Sequence, residues 1–265
     1  MEGSELTKDE WRQLFINHYG DQKDYFGHMV LDKGNPVGFL GYFFSERLIN
    51  NKIEKFCNMT TWIVKKEYRG QGLGKLLLQQ VIALKDYTIT DLTAAIGTVP
   101  MIKKYGFNIL ETKYKIILPM PNLNFLSSQC VLELTPAIIE NQLNVIDKKY
   151  YRDHQKNNCL HLLLKVEEEY CYLIVKKARW KKMRFAQIHY LSNLDLFLRH
   201  VHQIRNMVCW PLHVFGFMVE ERFLRGKEIK YSLNGLCTGK FFKSNLVDKK
   251  DITDNLYTEI LLLNI

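Results

Sequence analysis

The sequence predicts an α/β chain of the α+β kind, with a mixed, mainly antiparallel sheet flanked by helices, in two tandem copies. Three observations predict it. The 265 residues are 47% hydrophobic, enough to bury the cores of one large domain or two small ones. The order helix, three strands, helix, strand is readable twice in the apolar periodicity. The first copy also carries a glycine-rich run, Arg69-Gly-Gln-Gly-Leu-Gly-Lys75, between a strand-like and a helix-like stretch.

Each element has its own signal. Thr7-Lys-Asp-Glu10 is a capping box, with Trp11, Leu14, Phe15 and His18 at helical spacing, so a helix is expected over about 8–20. His28-Met-Val-Leu and Val37–Phe44 flank the turn Asp32-Lys-Gly-Asn-Pro36 and read as a β-hairpin. Asn50-Asn51 marks a second turn, and the Thr-, Trp- and Ile-rich run Phe56–Val64 a third strand. Gly72–Leu84 reads as a helix with Leu76, Leu77, Val81 and Leu84 inward. Tyr87–Leu92 is a short strand. Val99–Tyr105 is a short helix that tolerates Pro100 in its first turn and ends at Gly106. Phe107–Leu118 is a strand, and Pro119-Met-Pro121 with Asn122-Leu-Asn124 a linker. The expected domains are 1–120 and 125–265.

In the second half, Pro136–Tyr151 reads as a helix, and Cys159–Val166 and Tyr170–Lys177 as strands around the acidic turn Glu167-Glu-Glu169. Arg184–Tyr190 is a strand, Leu194–Met207 a helix, Leu212–Val219 a strand, and Tyr257–Leu263 a strand that closes a sheet. Where the first half has its glycine run, the second has Leu191-Ser-Asn193.

Composition narrows the class. No apolar run approaches the ~20 residues that span a bilayer. Met1-Glu-Gly-Ser-Glu is acidic and polar, unlike a signal peptide. The six cysteines form no C-x-x-C pair and no Cys/His cluster with zinc spacing, so a reduced, cytoplasmic protein without a metal is expected. Residues 1–120 carry 16 basic and 13 acidic side chains, and 121–265 carry 21 and 15. The densest basic run, Lys176-Lys-Ala-Arg-Trp-Lys-Lys-Met-Arg184, could contact a polyanion, but it reads more simply as a solvated hairpin tip.

Glycines at 70, 72 and 74 leave backbone N–H groups unobstructed, and the following helix adds its free N–H groups and dipole. The run is therefore an anion cradle suited to a pyrophosphate. A dinucleotide loop would need G-x-G-x-x-G after the first parallel strand, and that spacing is absent.

An amphipathic helix, an antiparallel meander, then Val64-x-x-x-x-Arg69-Gly-x-Gly-x-Gly74 opening a helix resembles the GCN5-related N-acetyltransferase (GNAT) superfamily, over about residues 7–120. Arg69, Gly72 and Gly74 fit its R/Q-x-x-G-x-G/A loop, and Tyr105-Gly-Phe107 is similar to the Gly-Phe that ends its second motif. The resemblance implies acetyl-CoA or another acyl-CoA as cosubstrate. Its pyrophosphate would lie on Arg69, Gly70, Gln71, Gly72, Leu73, Gly74 and Lys75. Its pantetheine arm would pair as an added strand with Ile63 and Val64, with Trp62 beside them.

The resemblance also exposes two departures. The glutamate that many members use as base falls near Asn58, which cannot take that role. The tyrosine that many use as acid falls at Ile102. The nearby Tyr105 reads as a core residue. A base could come from Glu46, Glu54 or a second-half residue such as His189, although His189, His200 and His202 each read as structural or surface histidines. The expected activity is acyl transfer from an acyl-CoA by direct attack of an acceptor amine, a small amine or amino sugar. The second half would be a degenerate copy without a cofactor loop, covering the cleft or supplying the acceptor pocket. The alternatives are a non-catalytic acyl-CoA-binding sensor or structural protein, and a polyanion-binding protein acting through 176–184.

Overall fold

The computed structural model describes residues 7–16, 19, 25–118, 130–180 and 182–263. They fall into two compact units. Unit 1 comprises Met1–Thr112, Thr238–Ile252 and Tyr257–Ile265, and unit 2 comprises Lys113–Cys237 and Thr253–Leu256. The linker expected at 119–124 lies outside the described residues. Two C-terminal stretches return to unit 1, where a simple division of the sequence leaves them in the second half.

Unit 1 opens with α1 (Lys8–Arg12), capped as its sequence predicts: the Thr7 hydroxyl accepts from Glu10 N at 3.3 Å, and Glu10 accepts from Thr7 N at 2.7 Å. The helix is shorter than expected and passes into one 3₁₀ turn at Gln13–Phe15. Residues 17–18 and 20, His18 included, lie outside the described residues. Strands β1 (Gly27–Asp32), β2 (Asn35–Ile49) and β3 (Lys52–Val64) form an antiparallel meander. Lys33-Gly34 and Asn50-Asn51 turn it with φ of 46°, 82°, 49° and 64°. Positive φ at both central residues matches the twist of the strands, and Gly and Asn tolerate it best.

Helix α2 (Leu73–Ile82) buries Leu77, Leu78 and Val81 on Leu40, Tyr42, Met59 and Phe107. Burial of each such side chain contributes roughly 2 kcal/mol. Leu77 and Val81 face inward as expected, but Leu76 is 46% exposed and Leu78 is buried instead. Strand β4 (Thr88–Asp91) runs parallel to β3, and α3 (Val99–Lys104) follows with Pro100 in its first turn. Gly106, at φ 78°, donates to Lys103 O, and Phe107 N reaches back to Ile102 O, which closes the helix end. The Gly-Phe pair thus has a local reason: glycine for the left-handed turn, and phenylalanine to pack on the core beside Ile102.

Strand β5 (Asn108–Ile117) starts in unit 1 and ends in unit 2. Unit 2 continues with β6 (Cys130–Glu133), an edge strand that the sequence does not announce. The single helix expected over 136–151 is two, α4 (Pro136–Gln142) and α5 (Val145–His154). Leu143 is extended, and Asn144 caps the second helix by accepting from Asp147 N at 2.8 Å. Strands β7 (Leu160–Val166), β8 (Glu169–Trp180) and β9 (Met183–Leu191) form the second antiparallel meander. The basic run 176–184 is therefore a hairpin, as expected. Lys176 points inward, and burial lowers its ammonium to about 8.

Helix α6 (Leu194–Leu212) continues five residues beyond the expected end, to a left-handed cap at His213. The expected strand from Leu212 begins only at β10 (Phe217–Glu220), parallel to β9. Strand β11 (Ser232–Lys243), which the sequence does not announce, pairs antiparallel with β4 through Phe241, Phe242 and Lys243. The expected closing strand at 257–263 is instead the short helix α7 (Glu259–Leu262). The order three antiparallel strands, helix, parallel strand thus occurs in both units, as β1–β4 around α2 and β7–β10 around α6. Among the described residues, each unit shows one parallel pair within a mainly antiparallel sheet.

Candidate functional site

Unit 1 holds a cleft of about 230 Å³ at the place where its parallel pair comes apart. β3 and β4 pair only from Phe56 to Asn58, opposite Thr88 to Thr90. Beyond Asn58, β3 runs on to Val64 beside β2 alone. Two β3 residues, Thr61 and Trp62, stand there against the single Leu40. This bulge holds Thr61 at φ 48°, a strained value for a β-branched residue. The bulge turns the Met59–Ile63 segment into the cleft wall. Asp91 and Thr93 to Ala95 after β4, Thr98, Glu259 and Trp11 complete the lining.

The glycine run stands directly after this splayed strand. Gly70 and Gly72 have φ of 79° and 84°, and a Cβ on either would meet nothing within 4 Å. The space in front of the loop is open. Gly74 serves a different purpose: a Cβ there would lie 3.6 Å from Trp62 Nε1, so its absence lets α2 pack on β3. Among the described residues no side chain caps α2, which leaves its first N–H groups without side-chain partners. Positive-φ glycines and an uncapped helix start together make an anion site. Arg69 folds back, donating from Nε to Val64 O at 3.0 Å, and Gln71 donates to Glu67 O at 3.2 Å. Both organise the loop, and the Val64 carbonyl is already used. Trp62 and Ile63 line the cleft, whereas Val64 does not.

The residues expected to supply chemistry separate clearly. Asn58 is buried and accepts from the Thr90 hydroxyl at 3.0 Å, tying β3 to β4 where they still pair. Ile102 is fully buried core, and Tyr105 packs partly buried against the same cluster. Glu46 and Glu54 lie toward the turned end of the β2–β3 hairpin, opposite Lys55 and Arg47, and do not line the cleft. His189 is fully buried in unit 2. His200 meets Gln203 on its own helix at 2.7 Å, and His202 packs near Tyr231.

Two acids not foreseen from the sequence stand in the cleft wall. Asp91 is 5% exposed, and burial, then the nearby Glu259, push its carboxyl up to about 7. Glu259 is 7% exposed, and burial raises it too, against Thr93, Thr60 and Lys240. The Thr93 hydroxyl donates to Glu259 Oε1 at 2.5 Å, and its backbone N–H to Asp91 Oδ1 at 3.3 Å. A sequence signal did exist: each is a lone acid in an apolar run, Thr88-Ile-Thr-Asp-Leu and Leu256-Tyr-Thr-Glu-Ile-Leu. Among the described residues, no group of three or more His, Cys, Asp or Glu could hold a metal ion, and no helix is long and apolar enough to cross a membrane.

The corresponding place in unit 2 is occupied. Ser192 and Asn193 stand where the glycine run stands in unit 1. The Ser192 hydroxyl accepts from Tyr172 N at 2.8 Å, and Asn193 caps α6 through Leu196 N at 3.0 Å. β9 and β10 pair only at Ala186 and Gln187, so this pair also opens. Here Asn255 donates its backbone N–H to His189 O at 2.8 Å. Arg222 fixes the inserted segment, donating to Asp254 O at 3.0 Å, to Asn255 Oδ1 at 2.5 Å and to Glu220 Oε2 at 2.7 Å.

The acetyltransferase (GNAT) family is matched over residues 2–107. No curated protein matches the chain in sequence. Among solved structures, a GCN5-related N-acetyltransferase from Anabaena variabilis superposes with a TM-score of 0.51 at 11% identity, over 81% of this chain and 61% of that one. A conserved protein of unknown function from Enterococcus faecalis, described as a probable N-acyltransferase, gives 0.56 at 10% identity, over 90% and 71%. The Saccharomyces cerevisiae N-myristoyltransferase with bound myristoyl-CoA gives 0.51 at 8% identity, over 98% and 77%. At these identities the likeness is one of fold.

Proposed function

Because residues 2–107 match the acetyltransferase (GNAT) family model, we propose that the protein is an acyl-CoA-dependent N-acyltransferase. Acetyl-CoA is its expected donor and a small amine or amino sugar its acceptor. The observation that carries this reading is the opening of β3 from β4 beside an uncapped helix entered through two positive-φ glycines. An acyl-CoA needs both parts. Its pyrophosphate suits the N–H groups from Gly70 to Lys75, with Leu73 and Gly74 in the first turn. Its amide-bearing arm suits the free edge of β3 at Trp62 and Ile63. Val64 is the weaker partner, because Arg69 holds its carbonyl. The yeast neighbour was solved with myristoyl-CoA, which supports an acyl-CoA in such a fold and leaves acyl length open.

The cleft supports this acceptor class. It is small, and its wall holds two acids, so a compact cationic amine suits it better than a bulky or anionic group. Direct attack without an acyl-enzyme is the simplest course, since among the described residues no cysteine or serine lines the cleft and the Thr93 hydroxyl is engaged with Glu259. A second reading, an acyl-CoA-binding protein without catalysis, draws on Asn58 and Ile102, which stand where many relatives hold base and acid.

Calorimetric titration with acetyl-CoA, and thiol release with a panel of primary amines, test both. Gly72→Asp places a negative charge and a strained backbone at the anion site, and should weaken acetyl-CoA binding at least tenfold, or ~1.4 kcal/mol. Unchanged affinity in that variant would remove the cofactor assignment. Turnover of any amine by the wild type would remove the non-catalytic reading.

A further inference from the structure

Asp91 and Glu259 have no part in holding an acyl donor, yet both stand in the cleft wall at the end of the splay. Thr60, which lies by Glu259, is two residues from Trp62, which touches the loop helix at Gly74. The pair is therefore placed beyond the stretch where a donor's arm would lie. Thr93 spans it, hydroxyl to one acid and backbone N–H to the other.

Glu259 Oε2 is buried and makes no hydrogen bond. A buried acceptor without a donor is unfavourable unless a ligand supplies one. Two acids this close in a poorly solvated wall also cannot both carry full charge. A primary ammonium group answers both needs, bringing N–H donors and a positive charge.

We propose, on the acyltransferase reading above, that Glu259 and Asp91 together bind the acceptor's amino group and take its proton. As the amine nitrogen forms its bond to the thioester carbonyl carbon, the carbon–sulfur bond breaks. The bound ammonium first gives one proton to the carboxylate pair, which passes it to water and leaves a neutral amine to attack; the second N–H proton, lost as the amide forms, passes through the pair to the departing CoA thiolate. The products are the N-acyl amine and CoA thiol. No residue is acylated and nothing is oxidised.

Two further features agree. Left-handed backbone occurs at Thr61, in the same wall, and at Tyr257, two residues before Glu259, with φ of 48° and 58°. Strain of this kind persists where the surrounding structure holds a site in place. The charged groups that face the pair are the two acids themselves and Lys240 of β11, which favours ionised Glu259. An Asp91 carboxyl that titrates near 7 suits proton transfer at neutral pH.

The test uses the full chain, acetyl-CoA and primary amines, with the wild type, Asp91→Asn, Glu259→Gln and Glu259→Asp. Acetyl-CoA affinity, thiol release from pH 5.5 to 9 and thermal unfolding are measured for each. We expect acetyl-CoA affinity within about threefold of wild type, with kcat lowered about 100-fold or more in the amide variants. The wild-type rate should fall below neutral pH, and this limb should vanish in Asp91→Asn. Glu259→Asp, which keeps the charge, should be slower yet retain the limb and unfold like the wild type. Wild-type turnover with unchanged rate and pH profile in both amide variants overturns this proposal and leaves the acyltransferase reading standing. Acetyl-CoA bound without turnover of any amine overturns the enzymatic reading and this proposal with it.

Discussion

Asp91 shows how one buried carboxyl can connect chemistry to stability. Its native carboxyl holds a proton up to about 7, whereas the unfolded side chain loses it near 3.8. Below the lower value both states are protonated and there is no penalty. As pH rises through the window between them, the native state binds the extra proton, so stability falls, and the full penalty persists above 7. Asp91→Asn, which cannot ionise, should therefore gain stability relative to wild type between pH 5 and pH 8, at about 1.4 kcal/mol per pH unit at most. Urea unfolding at the two pH values measures this, and parallel stabilities would contradict the burial of the pair. Asn58 and Ile102 belong to the same scale. Each stands where the sequence resemblance led a reactive group to be expected, and each is used for structure here, as a bridge to Thr90 and as the buried face of α3.

At the scale of elements, what could be read from sequence was local. The two Asn- and Gly-bearing turns, the capping box at Thr7, the glycine run and the Gly106 helix end all act within a few residues, and each is found as expected. Gly106→Ala should cost about 1–2 kcal/mol in a thermal melt, because φ 78° is left-handed. The Lys243 ammonium that a Cβ would meet at 2.9 Å can move aside. A melt identical to wild type would deny that helix end its role. Where a neighbour distant in sequence decides, the sequence was silent. β11 forms because β4 offers it an edge, and 257–263 is helical although its apolar run suits a strand. On the inward face of α2, Leu78 takes the place expected for Leu76 because the sheet beneath, and not the periodicity, chooses among neighbouring leucines. The break at Leu143 was legible in Asn144-x-x-Asp147, a cap signal hidden inside one long apolar pattern. The glycine run was thus readable, and each acid in the cleft wall was visible as a lone charge in its own run, but their pairing was not, since one of them arrives from 168 positions away.

Across the whole molecule, the segment 253–263 does two jobs in succession. Its first part lies in the opened strand pair of unit 2, held by Arg222, Glu220 and Asn255. Arg222→Ala leaves the buried Glu220 without its guanidinium, and should destabilise the protein by about 3–5 kcal/mol in denaturant unfolding. A change within 1 kcal/mol would mean that the inserted segment is held by other contacts. Its second part enters unit 1, where Tyr257 packs edge-on to Tyr19, with Arg47 lying over both Phe56 and Tyr257. Unit 1 therefore has parts far apart in the sequence: its first 112 residues lack both β11 and Glu259. Synthesis proceeds from the N-terminus, so the nascent first unit waits, with one edge of β4 uncovered, while more than a hundred residues of the second are made. On the proposed chemistry, a chain interrupted before residue 259 can hold the glycine cradle and still lack its proton acceptor, so donor binding and acyl transfer are separable by truncation.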